Sequence, residues 1–471
     1  MSHTTLIDLC KNNLDITPEL IRSLKDEIGM KDDNGSTALM CLCKYNTSVT
    51  PEIIRELKDE IGSVDNVGNT ALMRLCKYNK NINTDLIQEL KSEICMKNEK
   101  SQTALMWLCY FNESITPKLI QALNNEIGAK NKYKKTALMY LCENNENINP
   151  DLIRELRDEI GIKEDDEGRT ALMYLCKNNE NITPKLIQEL KDEIGIKDYW
   201  GCTALMYLCE YNKNIPPELI RELKDEIGIR TNDGMTALMW LCWYNKNITI
   251  ELIKELKDEI RFCHSQSRET ALMFLCKYNS SITPEIIREL KDEIWMKDNY
   301  ECTALMYLCE YNKNIPPELI RELKDEIRIK DKRGCTALMR LCRYYPRINT
   351  KIILELKDEI GMKDNDGMTA LIYLCKYNKF ITSKMIKELK DEIGMIDEKG
   401  RTALMFLCRY NRNITPELIR ELKDEIGMKD EKGKTALICL YKYNEKNITK
   451  ELIMELKNEI NLFNVNKIIN F

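Results

Sequence analysis

The apolar positions of this 471-residue chain recur with one fixed period. In the stretch 202–227, CTALMYLCEYNKNIPPELIRELKDEI, one apolar group is followed by a polar segment and then by apolar residues three and four positions apart. The same stretch returns unchanged at 302–327, and fourteen copies align on a threonine, from Thr4 to Thr435, at spacings of 33 or 34 residues. Such a period predicts one structural unit that is repeated and stacked along the chain.

The copy at residues 364–395 shows the first part of the unit. Its Asp364-Asn-Asp-Gly367 segment is typical of a turn, with Gly367 at a position that favours positive φ. Thr369 then begins a short helix that is predicted to end near Asn378, because asparagine tolerates the left-handed conformation that closes a helix.

A second helix is predicted after Thr415, which can cap it, and Pro416, which suits its first position. The apolar residues that follow have the spacing of one buried helix face: Leu418, Ile419, Leu422 and Ile426. The charged residues between them are predicted to form a solvated outer face with weak ion pairs: Arg420, Glu421, Lys423, Asp424 and Glu425.

A unit of one turn and two antiparallel helices that opens D-x-x-G-x-T-A-L-M resembles the ankyrin repeat. The family phrase T-P-L-H-x-A corresponds to TALIYL at 369–374, and the resemblance covers about residues 2–460. It implies an all-α fold, an ankyrin-like solenoid of stacked helix-turn-helix repeats with short hairpin loops. We expect one continuous array of fourteen repeats over 1–460, with atypical first and last repeats as caps. In the tail at 461–471, the residues expected to cover the open end are Ile468, Ile469 and Phe471.

The sequence departs from the family pattern in several ways, among them the following two. The histidine of the family phrase is replaced by methionine or isoleucine, as at Met40 and Ile372. The turn glycine is absent from four repeats, which predicts irregular or strained turns there: Ser101, Lys134, Arg268 and Glu301.

Composition narrows the possible partners. The formal net charge is −5 and both signs are interleaved, so the chain lacks the basic excess of a nucleic-acid-binding protein. No run of 18 apolar residues and no signal sequence occur, so neither membrane insertion nor secretion is expected. We expect a cytoplasmic protein, a monomer, that binds other proteins.

Thirteen of the twenty cysteines, from Cys10 to Cys408, share one repeat position. Helices that pack in neighbouring repeats lie about 8 to 10 Å apart, and a disulfide requires Cα atoms within roughly 7 Å. The cysteines are therefore predicted to be buried thiols in a reducing compartment, with neither disulfides nor a metal site.

No residue set has the features of an active site. The adjacent pair Cys263 and His264 lacks a third orienting group, and the segment 427–435, GMKDEKGKT, has the wrong glycine spacing for a phosphate-binding loop and follows a helix. We therefore expect no catalytic residues, no cofactor and no enzyme activity.

Twenty of the aromatic residues occupy two repeat positions that lie four residues apart, on the same face of the first helix. They could fill space between first helices, or they could line a tyrosine-rich binding groove. Three of the five tryptophans lie within two repeats. We therefore predict a partner-binding cluster there: Tyr199, Trp200, Tyr207, Tyr211, Trp240, Trp243 and Tyr244.

The resemblance implies a curved, elongated scaffold whose loops and first helices bind other proteins. The expected function is a non-enzymatic protein-interaction scaffold that binds through its concave face and loop tips. The alternatives are a regulatory or targeting subunit of a multi-protein enzyme complex, and a structural or cytoskeleton-associated element.

Overall fold

The computed structural model describes residues 5–12 and 15–462, the last three without side chains, and divides the chain into two compact units, one up to Asn232 and one from Asp233. Within each unit, a repeat consists of a turn, a first α-helix, a shorter second α-helix and a turn of 3-10 helix. The described residues contain helices and two isolated β-bridges, Cys263 to Thr270 and Ile396 to Thr402. The tail residues that were expected to form a cap, Ile468, Ile469 and Phe471, lie outside the described residues.

The first unit contains seven repeats. Its first helices are Thr5–Lys11, Ala38–Tyr45, Ala71–Tyr78, Ala104–Phe111, Ala137–Asn144, Ala171–Asn178 and Ala204–Tyr211. Its second helices are Pro18–Ser23, Pro51–Glu56, Thr84–Glu89, Pro117–Ala122, Pro150–Glu155, Pro184–Glu189 and Pro217–Glu222. The 3-10 turns are Lys25–Glu27, Lys58–Glu60, Lys91–Glu93, Asn124–Glu126, Arg157–Glu159, Lys191–Glu193 and Lys224–Glu226.

The second unit repeats this order. Its first helices are Ala237–Tyr244, Ala271–Tyr278, Ala304–Tyr311, Ala337–Tyr344, Ala370–Tyr377, Ala403–Tyr410 and Ala436–Tyr443. Its second helices are Ile250–Glu255, Pro284–Glu289, Pro317–Glu322, Thr350–Glu355, Ser383–Glu388, Pro416–Glu421 and Lys450–Glu455. The 3-10 segments are Lys257–Glu259, Lys291–Glu293, Lys324–Glu326, Lys357–Glu359, Lys390–Glu392, Lys423–Glu425, Glu445–Asn447 and Lys457–Leu462.

Both predicted helix starts are confirmed. The Thr369 hydroxyl accepts a hydrogen bond from the Ile372 amide at 3.4 Å, and Thr415 accepts one from Leu418 at the same distance. These hydroxyls satisfy amides that have no partner inside a helix. Within each unit, consecutive first helices pack against one another, so their apolar residues form a continuous core.

The second helix is shorter than its sequence pattern predicts. It ends at Glu421 after six residues, and the 3-10 turn Lys423–Glu425 follows. The tighter turn changes which side chains face inward. Glu425 is buried and Ile426 is half-buried, so the prediction that Glu425 belongs to a solvated face was wrong.

The aspartate turns form a second contact between repeats. The Asp364 carboxylate accepts hydrogen bonds from the amides of Asp366 and Met368, at 3.0 and 2.7 Å, which fixes the turn. The Asp366 carbonyl then accepts a bond of 2.9 Å from the amide of Glu398 in the following repeat. Each turn is thereby hydrogen-bonded to the next within its unit.

The four turns without glycine keep this geometry in a strained backbone conformation. Their φ values are 58 to 62°, in the left-handed region that residues with a side chain rarely adopt: Ser101, Lys134, Arg268 and Glu301. Four further residues have φ of 72 to 80° at the position after the 3-10 turn, where other repeats have glycine: Cys95, Arg261, Trp295 and Arg328. The prediction of strain is confirmed for the first set, and the second set was missed.

The two turns with an extra residue have a different acceptor side chain in place of the aspartate. Glu164 replaces the turn aspartate, and its carboxylate accepts from the amides of Glu167 and Arg169 at 2.9 and 3.0 Å. His264 occupies the equivalent place, and its Nδ1 accepts from the amide of Ser267 at 3.1 Å. Glu164 reaches one bond further than aspartate, whereas His264 Nδ1 accepts at the same distance from the backbone as an aspartate oxygen.

Candidate functional site

A buried glutamate joins most of the first helices to the preceding repeat. Glu326 Oε1 accepts from the Trp295 amide of the preceding repeat at 3.1 Å, and Oε2 accepts from the Leu305 amide at 2.7 Å. Leu305 is the second residue of its first helix, so the carboxylate satisfies a free helical amide at the positive end of the helix dipole. We call these residues the glutamate ladder; the same pair of bonds is made by Glu60, Glu93, Glu126, Glu159, Glu193, Glu226, Glu293, Glu359, Glu392, Glu425 and Glu459.

Burial controls the acidity of this ladder. Only 1% of Glu326 is exposed, and loss of water around its carboxylate raises its pKa from 4.5 to about 7, although the backbone bonds act in the opposite direction. The pKa is raised for the same reason at Glu93, Glu126, Glu159, Glu193, Glu226, Glu293, Glu359, Glu392 and Glu425. The ladder thus contains carboxyl groups that bind protons more tightly in the folded state.

An asparagine that follows most of the first helices provides another contact between repeats. The Asn411 side-chain amide donates to the Asn378 carbonyl of the preceding repeat at 2.9 Å, and its Oδ1 accepts from the Asn413 amide at 2.9 Å. The prediction of a left-handed Asn378 was wrong, since its φ of −82° and ψ of 111° are extended. The extended backbone lets the side chain reach across to the neighbouring repeat.

The two aromatic positions of the first helix have different environments. At the first position, Tyr373 is only 4% exposed, and its hydroxyl donates to the Asp364 carboxylate at 2.8 Å. Tyr307 is likewise buried and donates to Asp298 at 2.7 Å. These rings belong to the core, and their hydroxyls support the turns.

At the second position, four residues later, the rings are accessible. They are 37 to 46% exposed: Tyr45, Tyr78, Phe111, Tyr211, Tyr244, Tyr278, Tyr311, Tyr344, Tyr377, Tyr410 and Tyr443. The tyrosines and phenylalanines of the first position therefore belong to the core, whereas Trp107 and Trp240 at that position are half-buried and the rings of the second position are accessible. Rigid amphipathic rings of this kind are favoured in protein interfaces.

Basic side chains lie between many of the exposed rings. In the first unit, the Lys44 ammonium is 4.5 Å from the Tyr45 ring centroid and 5.4 Å from that of Tyr78. In the second unit, the Arg343 guanidinium is 4.9 Å from Tyr344 and 4.8 Å from Tyr377. These distances allow cation–π attraction, so the exposed face of the first helices alternates cations and aromatic rings. These basic residues were not predicted from the sequence, although most of them directly precede the second aromatic residue.

In the first unit, the four residues of the predicted cluster have different surroundings. Tyr199 and Trp200 are exposed at the tip of a turn, whereas Tyr207 is buried and donates to the Asp198 carboxylate at 2.7 Å. Tyr211 is exposed and stacks on Tyr207, with ring centroids 6.2 Å apart. Tyr207 thus supports the turn and Tyr211 from beneath.

In the second unit, the three predicted residues stack into one aromatic group. The Trp243 ring lies 4.8 Å from Tyr244 and 6.4 Å from Trp240, with nearly parallel planes. The stack continues into the next repeat, with centroid distances from Trp243 of 5.2 Å to Phe274 and 5.1 Å to Tyr278. The sequence prediction did not include Phe274 or Tyr278. Binding of a partner by these residues stays a prediction.

The histidine beside Cys263 has a structural role. His264 Nδ1 already accepts the Ser267 amide, and Nε2 lies 3.5 Å from the Asp233 carboxylate. A nitrogen that accepts a backbone amide in the turn is not open to take a proton from a nucleophile. We assign no catalytic role to this pair.

The remaining groups of chemical interest have structural surroundings. All twenty cysteines are free thiols, and those of the shared repeat position, such as Cys43 and Cys375, are fully buried. Burial raises the pKa of these thiols well above the ordinary value, which disfavours the reactive thiolate. Within the described part of the chain, no three His, Cys, Asp or Glu residues are grouped as metal ligands, and no helix has the length and apolar character needed to cross a membrane.

Comparison with known proteins relates this architecture to one family. A family model described as ankyrin repeats matches residues 6–90 and 105–198, and repeats of this family serve in general as protein–protein interaction modules. No curated protein matches the sequence.

Two solved structures are similar to parts of the chain. The ankyrin repeat domain of Bcl-3, a member of the IkappaB protein family, aligns at 18% identity and a TM-score of 0.35, over 48% of this chain and all of that one. A chain from the structure of the predatory endopeptidase Bd0816 of Bdellovibrio bacteriovorus with immunity protein Bd3460 aligns at 19% identity and a TM-score of 0.31, over 41% of this chain and 98% of that one.

The assignment rests on the family match together with the geometry of the repeats. The turn, the two helices and the glutamate ladder of residues 6–198 continue in the repeats of the second unit. Residues 6–90 and 105–198 therefore match the ankyrin-repeat family, and the repeats outside these residues have the same turn and pair of helices.

Proposed function

We propose that the chain is a non-enzymatic scaffold that binds other proteins through the exposed face of its first helices and the tips of its turns. The observation that carries this proposal is the regular row of exposed aromatic rings on the first helices. The buried polar groups beneath these rings already make hydrogen bonds within the protein, as the Asp364 and Glu326 carboxylates do.

The charged residues of the second helices also support the choice of the first helices as the binding surface. Arginines of second helices pair with glutamates of the following repeat, as Arg321 does with Glu355 at 2.6 Å. The two charges of such an exposed pair neutralise each other, and the pair adds little to the stability of the fold. The proposal also places the protein in the cytoplasm, because twenty free cysteines suit a reducing compartment.

The aromatic stack of the second unit provides the test. Alanine at Trp240, Trp243 and Tyr244 is expected to reduce capture of the protein's stoichiometric partners from cell lysate by at least about tenfold, the effect of 1.4 kcal/mol. Capture is measured by quantitative mass spectrometry, and circular dichroism verifies that the variant is folded.

The matched control changes the second helix of the same repeat. Alanine at the exposed residues Glu251 and Lys254 is expected to leave capture within about twofold of the unmodified chain. Equal capture by the folded triple variant and the unmodified chain would contradict the proposed surface, as would an unmodified chain that retains no protein in stoichiometric amount.

A further inference from the structure

Four successive first helices of the second unit carry a cation with no carboxylate within ion-pair distance among the described residues: Arg343, Lys376, Arg409 and Lys442. By contrast, second-helix cations such as Arg288 and Lys387 pair with Glu322 and Glu421. Uncompensated positive charge therefore remains on the first-helix face. It remains there although the chain as a whole has a net charge of −5.

These cations and the exposed tyrosines form one continuous row. Lys376 lies 4.8 Å from the Tyr377 centroid and 5.9 Å from that of Tyr410. Arg409 lies 5.0 Å from Tyr410 and 4.1 Å from Tyr443. We name this row the tyrosine–cation ladder; it consists of Arg343, Tyr344, Lys376, Tyr377, Arg409, Tyr410, Lys442 and Tyr443.

A cleft of about 410 Å³ adjoins one end of the ladder, since Arg343 and Tyr344 line both. Two acidic residues of the cleft, Asp331 and Glu310, form ion pairs with the half-buried guanidinium of Arg340. Asp298 is the third acidic residue of the cleft, and five basic residues line it as well: Lys277, Lys332, Arg333, Arg340 and Arg343. The lining therefore has an excess of positive charge, which favours an acidic ligand.

The distance between successive cations of the tyrosine–cation ladder indicates how far apart the acidic groups of a ligand should lie. Neighbouring packed helices lie about 10 Å apart, and a polyproline II chain advances about 3.1 Å per residue with three residues per turn. Carboxylates at every third residue of such a chain lie on one edge, about 9 Å apart, and match successive cations. The polyproline II backbone makes no internal hydrogen bonds, so its carbonyl oxygens can accept hydrogen bonds from the exposed tyrosine hydroxyls.

We propose that the tyrosine–cation ladder binds an extended acidic segment of a partner protein, in polyproline II conformation, with a carboxylate at every third residue. This inference rests on the proposed protein-binding function and names its partner class. A single-stranded nucleic acid fits less well, because base stacking requires open ring faces, and cations already lie over the faces of Tyr377 and Tyr410.

The test uses two synthetic peptides of equal composition. A fluorescein-labelled (Glu-Pro-Pro)4 peptide has the proposed spacing, and a peptide of four consecutive glutamates followed by eight prolines does not. Fluorescence anisotropy with the full chain is expected to show at least about tenfold tighter binding of the first peptide. Binding should weaken as salt rises from about 50 to about 500 mM, because exposed charges are screened.

Two triple variants with the same change in charge locate the site. Gln at Arg343, Lys376 and Arg409 is expected to weaken binding of (Glu-Pro-Pro)4 by at least about tenfold. The control places Gln at second-helix arginines and is expected to change binding less than about twofold: Arg288, Arg321 and Arg420.

Three results would overturn the inference: equal affinity for the two peptides, equal losses in the two variants, or tighter binding of a twelve-residue oligothymidylate than of (Glu-Pro-Pro)4. Failure with both peptides, while capture of cellular proteins still depends on Trp240, Trp243 and Tyr244, would reject this ligand class alone. Failure of both experiments would reject the proposed function as well.

Discussion

Replacement of Glu326 by alanine is expected to lower the free energy of unfolding by roughly 3 kcal/mol, because it removes the acceptor of two backbone amides at once. The Leu305 amide is buried and, as the second residue of a helix, has no other partner within that helix. The Trp295 amide of the preceding repeat loses its acceptor as well. One substitution therefore weakens a first helix and its connection to the neighbouring repeat.

The neighbouring residue provides a matched control for this substitution. Asp325 lies in the same 3-10 turn and is exposed, so alanine there is expected to change stability by less than about 0.5 kcal/mol. Both variants are compared with the unmodified chain by urea unfolding, followed by circular dichroism. Equal unfolding midpoints for Glu326→Ala and Asp325→Ala would show that the glutamate does not join the repeats.

The stability of the array is also expected to fall as the pH rises from 5 to 8. The glutamates of the ladder have raised pKa values in the folded chain, so the folded state binds protons more tightly than the unfolded state. Their contribution is complete below the unfolded value of 4.5 and is lost as the pH passes the folded pKa, about 7 for Glu326. Glu326 alone is expected to lower the free energy of unfolding by roughly 2 kcal/mol between pH 5 and pH 8.

Other groups interfere little in this pH window. The chain has only two histidines, and the lowered pKa values of Asp32 and Asp65 affect stability only in more acidic solution. Urea midpoints measured at pH 5, 6, 7 and 8 are expected to decrease steadily, and Glu326→Gln should reduce the dependence. A midpoint that increases from pH 5 to pH 8 would contradict the raised pKa values.

Much of the repeat could be predicted from the sequence, because its local signals agree with one another. The period gives the unit, and Thr369, Thr415 and Pro416 mark the helix starts that the structure confirms. The apolar residues of the first helix form the core, as their pattern indicates. Local propensity and burial act in the same direction here.

The 3-10 turn could not be predicted, because the sequence continues a helical pattern through it. A helix over 416–426 would expose Glu425 to solvent and bury Ile426. In the 3-10 turn, Glu425 is buried instead. One signal was available: every copy has glutamate at this position, although a solvated face tolerates many residues. Such uniformity within one chain indicates a specific bond.

The aromatic surface was predictable only in part. A spacing of four places both aromatic positions on one helix face, but the first helix is eight residues long and its end projects beyond the core. Tyr373 is therefore covered and Tyr377 is accessible. The contacts of the basic residues with the rings could not be predicted from one repeat alone, because they join neighbouring repeats. Arg343, for example, contacts the ring of Tyr377 in the following repeat.

Photo-cross-linking tests most directly whether the first helices form the recognition surface. A (Glu-Pro-Pro)4 peptide with a benzophenone at its centre is bound to the full chain and irradiated, and the adducts are located by mass spectrometry. The expected adducts lie in the first helices Ala337–Tyr344, Ala370–Tyr377 and Ala403–Tyr410. Adducts concentrated in the second helices Thr350–Glu355, Ser383–Glu388 and Pro416–Glu421, or spread evenly over both sets, would contradict this assignment.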